Sequence, residues 1–150
     1  MDKLQPTMAQ QIAKAANEFQ MNLTGRVSNV VTVVLSGDTL VVTMHEALTP
    51  AEKALAQSPA GAAQIQEFHR QLFATSSEAL RKEISRITGV EVRESTAEVE
   101  PTTGTVVHAF TNGTMVQVFL LAQNISQEDW HGPGPAVAAK EKQDEAATIK

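Results

Sequence analysis

The chain of 150 residues contains no cysteine and no tyrosine, and Trp130 is its single tryptophan. The absence of cysteine excludes disulfides, thiolate nucleophiles and cysteine-ligated zinc. Aromatic residues make up only 4% of the chain, so the side chains on which single-stranded nucleic acids stack are scarce. The core must therefore be built mainly from aliphatic side chains and methionine.

The chain also lacks an excess of basic residues and lacks long apolar runs. The formal net charge of −5 argues against a nucleic-acid partner, because such proteins carry a basic surplus on one face. No apolar run approaches the roughly 20 residues of a membrane-spanning helix, and the N-terminal segment lacks the apolar region of a signal peptide. We therefore expect a cytoplasmic protein with no direct membrane insertion.

Apolar residues that recur every three or four positions predict two longer helices, over about residues 7–22 and 59–88. Gly89 is the predicted end of the second helix, and His69 is expected on its exposed side. The stripe predicted to face the core consists of Ile65, Phe68, Leu72, Phe73, Ser76, Leu80, Ile84 and Ile87.

The segment "HEALTPAEKAL", from His45 to Leu55, predicts the start of a short helix. Thr49 is a natural N-cap, Pro50 suits the first helical position, and Glu52 completes a capping box three residues after the cap. His45 and Glu46 also begin the zinc-protease pattern H-E-x-x-H, but Thr49 occupies the place of the second histidine. The pattern is therefore excluded, and no catalytic residue, metal or cofactor is indicated.

Runs of β-branched residues bounded by turn residues predict a hairpin over 27–35 and 39–44. Three further strands, at 90–99, 105–110 and 114–121, are expected to form a meander. The predicted class is α+β: a two-layer sandwich with a mainly antiparallel sheet of about five strands, covered by the N-terminal, short and long helices. One domain is expected over 1–121, followed by a Gly/Pro-rich and then Ala- and charge-rich tail over 122–150.

Several segments together resemble the MpsC-like family. "EALTPAEKAL" is similar to the family signature L-T-x-x-E-x-x-L, "ITGVEV" to its T-G-x-x-V, and "VQVFLL" to its V-F-x-L. Gly61 and Arg70 fall where the family has a glycine and an arginine around the long helix. The resemblance covers about residues 7–122. It fails before the first strand, where the family often has Gly-Arg/Lys-Gly-Pro and this chain has "GRVS", starting at Gly25.

The resemblance implies a domain of unknown function linked to a Na⁺-translocating, membrane-potential-generating system. Members can accompany an antiporter-like membrane subunit and a zinc-containing partner in the uptake of bicarbonate or CO₂. The resemblance supplies no catalytic residues. We therefore predict a non-enzymatic accessory or regulatory protein that acts through protein contacts, including contacts with such a membrane transport complex. A homodimer is expected, because an open sheet leaves unpaired edges.

A second hypothesis is a small-ligand sensor or enzyme, with a pocket between the sheet and the long helix. The candidate ligand or partner contacts are Arg26, His45, Glu46 and Arg70.

Overall fold

The computed structural model describes residues 5–28, 30–99 and 115–135. The elements in chain order are α1 (Met8–Thr24), β1 (Val30–Ser36), β2 (Thr39–His45), α2 (Pro50–Leu55), α3 (Pro59–Thr88), β3 (Val92–Val99), β4 (Met115–Leu121) and α4 (Gln127–Trp130). The predicted α+β class is confirmed. The described part of the chain has four strands where the sequence predicts about five, and the predicted strand at 105–110 lies outside the described residues.

The four strands form one antiparallel sheet in the order β1-β2-β4-β3. The predicted hairpin between β1 and β2 is confirmed, with Ser36 opposite Thr39 across the turn. The predicted meander is wrong in its strand pairing. It would place the strand at 105–110 between β3 and β4, whereas β4 pairs directly with β3 on one side and with β2 on the other. The β2–β4 pairing joins residues about 75 positions apart, and local turn signals carry no information on such a pairing.

Helix α1 begins and ends at the kinds of residue that capping requires. The Thr7 hydroxyl accepts a hydrogen bond from the Gln10 amide, and the Gln10 side chain accepts one from the Thr7 amide. Gly25 follows the last turn with a left-handed backbone (φ 77°), a conformation that glycine adopts at no steric cost. These signals are local, which is why the sequence predicts this helix to within about two residues.

One face of the sheet packs against the helices and forms the core. Alternate side chains of β2 and β4 point into it, and Phe119 is the largest side chain that is fully buried. Helices α1 and α3 supply the opposite layer of the same cluster, including Ile12 and Ile84. Among the strand residues whose burial the structure describes, those fully buried are Leu40, Val42, Met44, Phe119 and Leu121.

The inward stripe of α3 differs from the predicted one in its first half. Phe68, predicted to face the core, is 47% exposed, while His69, predicted to be exposed, is only 4% exposed. The buried row runs through Ile65, His69 and Phe73, which are successive i, i+4 neighbours. The prediction followed the larger apolar side chain at position 68, whereas a polar partner makes burial of the imidazole favourable.

Residues 122–135, in the segment predicted as a tail, pack on the helical layer. Ile125 and Trp130 are buried in the core cluster and anchor this segment. The Gly132 carbonyl accepts a hydrogen bond from the Met8 amide, at the first turn of α1. The remaining residues, 136–150, lie outside the described part of the chain.

Candidate functional site

A buried hydrogen bond between a glutamate and a histidine joins the short helix α2 to the long helix α3. The Glu52 Oε2 atom lies 2.6 Å from His69 Nε2, and the two side chains are 13% and 4% exposed. A hydrogen bond between a carboxylate and an imidazole at this distance is strong, and burial excludes the water that would compete with it. Glu52 and His69 thus form the most deeply placed pair of titratable side chains among the described salt bridges.

The capping box of α2 holds the Glu52 carboxylate in place for this pair. The Thr49 amide donates to Glu52 Oε1 at 3.0 Å, and the Glu52 amide donates to the Thr49 hydroxyl at 3.2 Å. One carboxylate oxygen therefore caps the helix while the other contacts His69. The L-T-x-x-E motif builds a helix start and a link to α3 with the same side chain.

Glu52 titrates under opposing influences. Burial raises the pKa of its carboxyl group, but the hydrogen bonds with His69 and Thr49 and the charge of His69 together lower the pKa below its ordinary value. Because the pKa is lowered in the folded state, the ionised carboxylate stabilises the fold above its unfolded pKa of about 4.3. This contribution is lost as the pH falls through the folded pKa.

We expect the Glu52→Gln variant to be less stable than the unmodified chain at about pH 7, and the difference to shrink below about pH 4. The variant has no carboxylate to protonate at this position, so it loses less stability in acid. Urea unfolding of both chains over this pH range measures the difference. A difference that stays constant down to about pH 3 would contradict this account of Glu52.

A small, partly open cavity lies beside His69, between α1, α3 and β4. Its lining includes Gln20 of α1, Gln117 of β4 and Ser76 of α3. The space in which a water-sized molecule can be centred is about 10 Å³, which is room for one water. A general base must reach a substrate proton, and this space admits no substrate of metabolite size. The hydrogen-bonded Glu52–His69 pair is thus suited to fastening α2 to α3.

Of the four predicted contact residues, the structure brings Arg26 and Glu46 together. Arg26 Nε donates to the Glu46 carbonyl at 3.1 Å, and its guanidinium lies 3.9 Å from the Glu46 carboxylate. Glu46 has a left-handed backbone (φ 55°), which is uncommon for a residue other than glycine. His45, directly before it, ends β2 opposite Val30. The Arg26 bond therefore holds a tight turn that leads from the sheet to α2.

Arg70, the fourth of these residues, lies on the exposed side of α3. Its guanidinium is 3.5 Å from the Glu67 carboxylate, one helical turn earlier. An exposed pair of this kind contributes little to stability. A common ligand site for Arg26, His45, Glu46 and Arg70 stays a prediction.

Of the five buried polar residues in the described part of the chain, His69, Gln20 and Gln117 occupy core positions that the sequence pattern does not predict. Gln20 follows Ile12 and Ala16 on the i, i+4 row of α1. Gln117 lies on the same face of β4 as Phe119 and Leu121, two and four residues before them. The signal that could have revealed these residues is a polar side chain at a position whose spacing matches that of the buried apolar residues.

An open pocket of about 690 Å³ lies at the end of α3, where Gly89 and the segment 132–135 form part of its wall. None of the four predicted contact residues lines it. Among the described residues, no group of three or more histidine, aspartate or glutamate side chains is arranged to hold a metal ion. Nor does the described part of the chain contain a helix long and apolar enough to cross a bilayer.

Fold and site define a small α+β protein, with helices on one face of an antiparallel sheet and a buried Glu–His pair between two helices. The chain matches the model of the family described as "MpsC: Na+-translocating membrane potential-generating system (MpsC)" over residues 5–114, and it belongs to that family. No curated protein and no solved structure matches it.

Proposed function

We propose that the chain is a non-enzymatic, cytoplasmic accessory or regulatory protein that works as a homodimer within a Na⁺-translocating membrane-potential system. The family description supports the link to that system. A further proposed link, to bicarbonate or CO₂ uptake, rests on the resemblance alone. The observation that supports a function through protein contacts is that β1 forms an exposed, uncharged edge of the sheet.

Strand β1 is an edge strand without the usual protection. Within the described residues it pairs with β2 alone. Its sequence, VVTVVLS, contains no charge and no proline, and Val30 and Val34 are each 53% exposed. Edge strands of soluble proteins normally carry lysine, proline or a bulge, because their free backbone groups otherwise recruit another strand. An edge of this kind is suited to pairing.

The occupant that fits this edge is a second copy of the same chain. Antiparallel pairing of β1 with itself obeys a two-fold axis, so the contact is self-complementary and closes at a dimer. The strand carries no charge, so two copies meet there without local repulsion although each chain has a net charge of −5. Pairing at this edge would join two four-stranded sheets into one.

The sheet face turned away from the helices extends this apolar surface. Val34, Val41 and Val118 are direct neighbours across β1, β2 and β4. Val41 and Val118 are only partly buried, whereas the residues that flank them in sequence, on the opposite face, are buried. A partner that reaches β1 would thus find aliphatic side chains to cover. Arg26, His45, Glu46 and Arg70 remain the proposed polar contacts for a partner protein.

We expect the unmodified chain to elute as a dimer, and Val34→Lys to raise the dimer dissociation constant at least about tenfold, equivalent to 1.4 kcal/mol. A lysine on an edge strand opposes pairing because its charge must stay hydrated. Light scattering on a gel-filtration column over a series of concentrations measures both chains.

The matched control is Leu55→Lys, which places the same charge on an exposed leucine of α2. This variant should remain a dimer. A strictly monomeric unmodified chain would refute the homodimer, and equal weakening by both substitutions would refute the placement of the contact at β1.

A further inference from the structure

The cavity between α1, α3 and β4 contains two polar atoms with unmet hydrogen-bonding capacity. Gln20 Nε2 and Gln117 Oε1 are both buried, and neither has a hydrogen-bond partner in the protein. Each residue is only 4% exposed, so solvent outside the fold does not supply the missing partner. Both residues line the same small cavity.

Leaving both atoms unpaired would be costly. A buried amide group without a partner loses its hydration and gains nothing in return, and such groups are rare in folded proteins. The two polar residues on the α3 side already have partners: the Ser76 hydroxyl donates to the Leu72 carbonyl at 2.8 Å, and His69 Nε2 is bonded to Glu52. The unmet capacity consists of the amide NH2 group of Gln20 on α1, which donates, and the amide oxygen of Gln117 on β4, which accepts.

We propose that this cavity is a binding site for a single water molecule, which accepts a hydrogen bond from Gln20 Nε2 and donates one to Gln117 Oε1. The ligand must both accept and donate, must be neutral, and must fit a space with room for one water-sized molecule. Water meets all three conditions. The bridge fastens α1 to the sheet at the level where the Glu52–His69 pair fastens α2 to α3.

Replacing either glutamine by an apolar residue should destabilise the fold if the cavity holds water, and should stabilise the fold if the cavity is dry. We compare Gln20→Met, Gln117→Met and the double variant by urea unfolding of the full chain. Methionine has nearly the shape of glutamine and no hydrogen-bonding amide. If the water is present, each single substitution leaves a hydrogen-bond partner unsatisfied and lowers the midpoint urea concentration. The double variant should then lose less than the sum of the two single losses.

The matched control is Gln64→Met, which makes the same exchange at an exposed position of α3 and should leave the midpoint nearly unchanged. A crystal structure of the unmodified chain tests the site without any substitution. One peak of solvent density within hydrogen-bonding distance of both amides would support the proposal. It would be overturned by an empty cavity, by a direct bond between the two glutamines, or by single variants that are more stable than the unmodified chain.

Discussion

Replacing Glu52 by alanine should lower the free energy of unfolding by about 1–3 kcal/mol, the range for leaving a buried polar group without its hydrogen-bond partner. The substitution removes the partner of His69, which is 4% exposed and would be left without its carboxylate. It also removes the oxygen that accepts the Thr49 amide in the capping box. Two interactions that fix α2 are lost together, and the imidazole remains in an apolar layer.

The measurement is urea unfolding at a fixed protein concentration, because the stability of a dimer depends on concentration. Glu67→Ala is the matched control: this glutamate pairs with Arg70 on the exposed side of α3, and its loss should cost less than about 1 kcal/mol. Similar losses for Glu52→Ala and Glu67→Ala would show that the buried pair does not stabilise the fold.

Gly61→Ala should cost about 2–3 kcal/mol, because the added methyl group has no room. A Cβ atom at this position would lie 1.8 Å from the carbonyl oxygen of Leu55, and neither atom belongs to a flexible side chain. Gly61 is buried in the first turn of α3, directly under the end of α2, where its amide also donates to the Ser58 hydroxyl. The two helices would have to separate, which would disturb the Glu52–His69 contact as well.

Gly132→Ala provides the control for Gly61→Ala. The nearest atoms to a Cβ at Gly132 are 3.5 Å away, an ordinary van der Waals distance, so its expected cost is below about 1 kcal/mol. Thermal or urea unfolding of both variants measures the difference. Equal stability of the two would contradict the close approach of α2 and α3 at Gly61.

The sequence predicts the helices well because their signals are local. The Thr49 cap, Pro50 and Glu52 define the start of α2, and Gly89 follows α3 with a left-handed backbone (φ 74°). The sheet order was not predictable in this way, because the pairing of β2 with β4 depends on tertiary packing. Turn residues report which segments reverse direction, but not which strands become neighbours.

The buried polar residues were missed for a different physical reason. Helical periodicity rests on apolar side chains, so the pattern places His69 on the exposed side, although this residue shares a helical row with Ile65 and Phe73. Its burial depends on Glu52, which lies 17 residues away and was interpreted only as a cap. Gln20 and Gln117 were missed similarly, since each occupies a core position that apolar counting passes over.

The central claim, that the chain serves a Na⁺-translocating membrane system through protein contacts, is tested most directly by affinity purification. The full chain, tagged at one end, is isolated from its own cells in mild detergent, and the bound proteins are identified by mass spectrometry. We expect subunits of a Na⁺-transporting membrane complex to be enriched over an untagged control. Recovery of the tagged chain without any such subunit would contradict the claim.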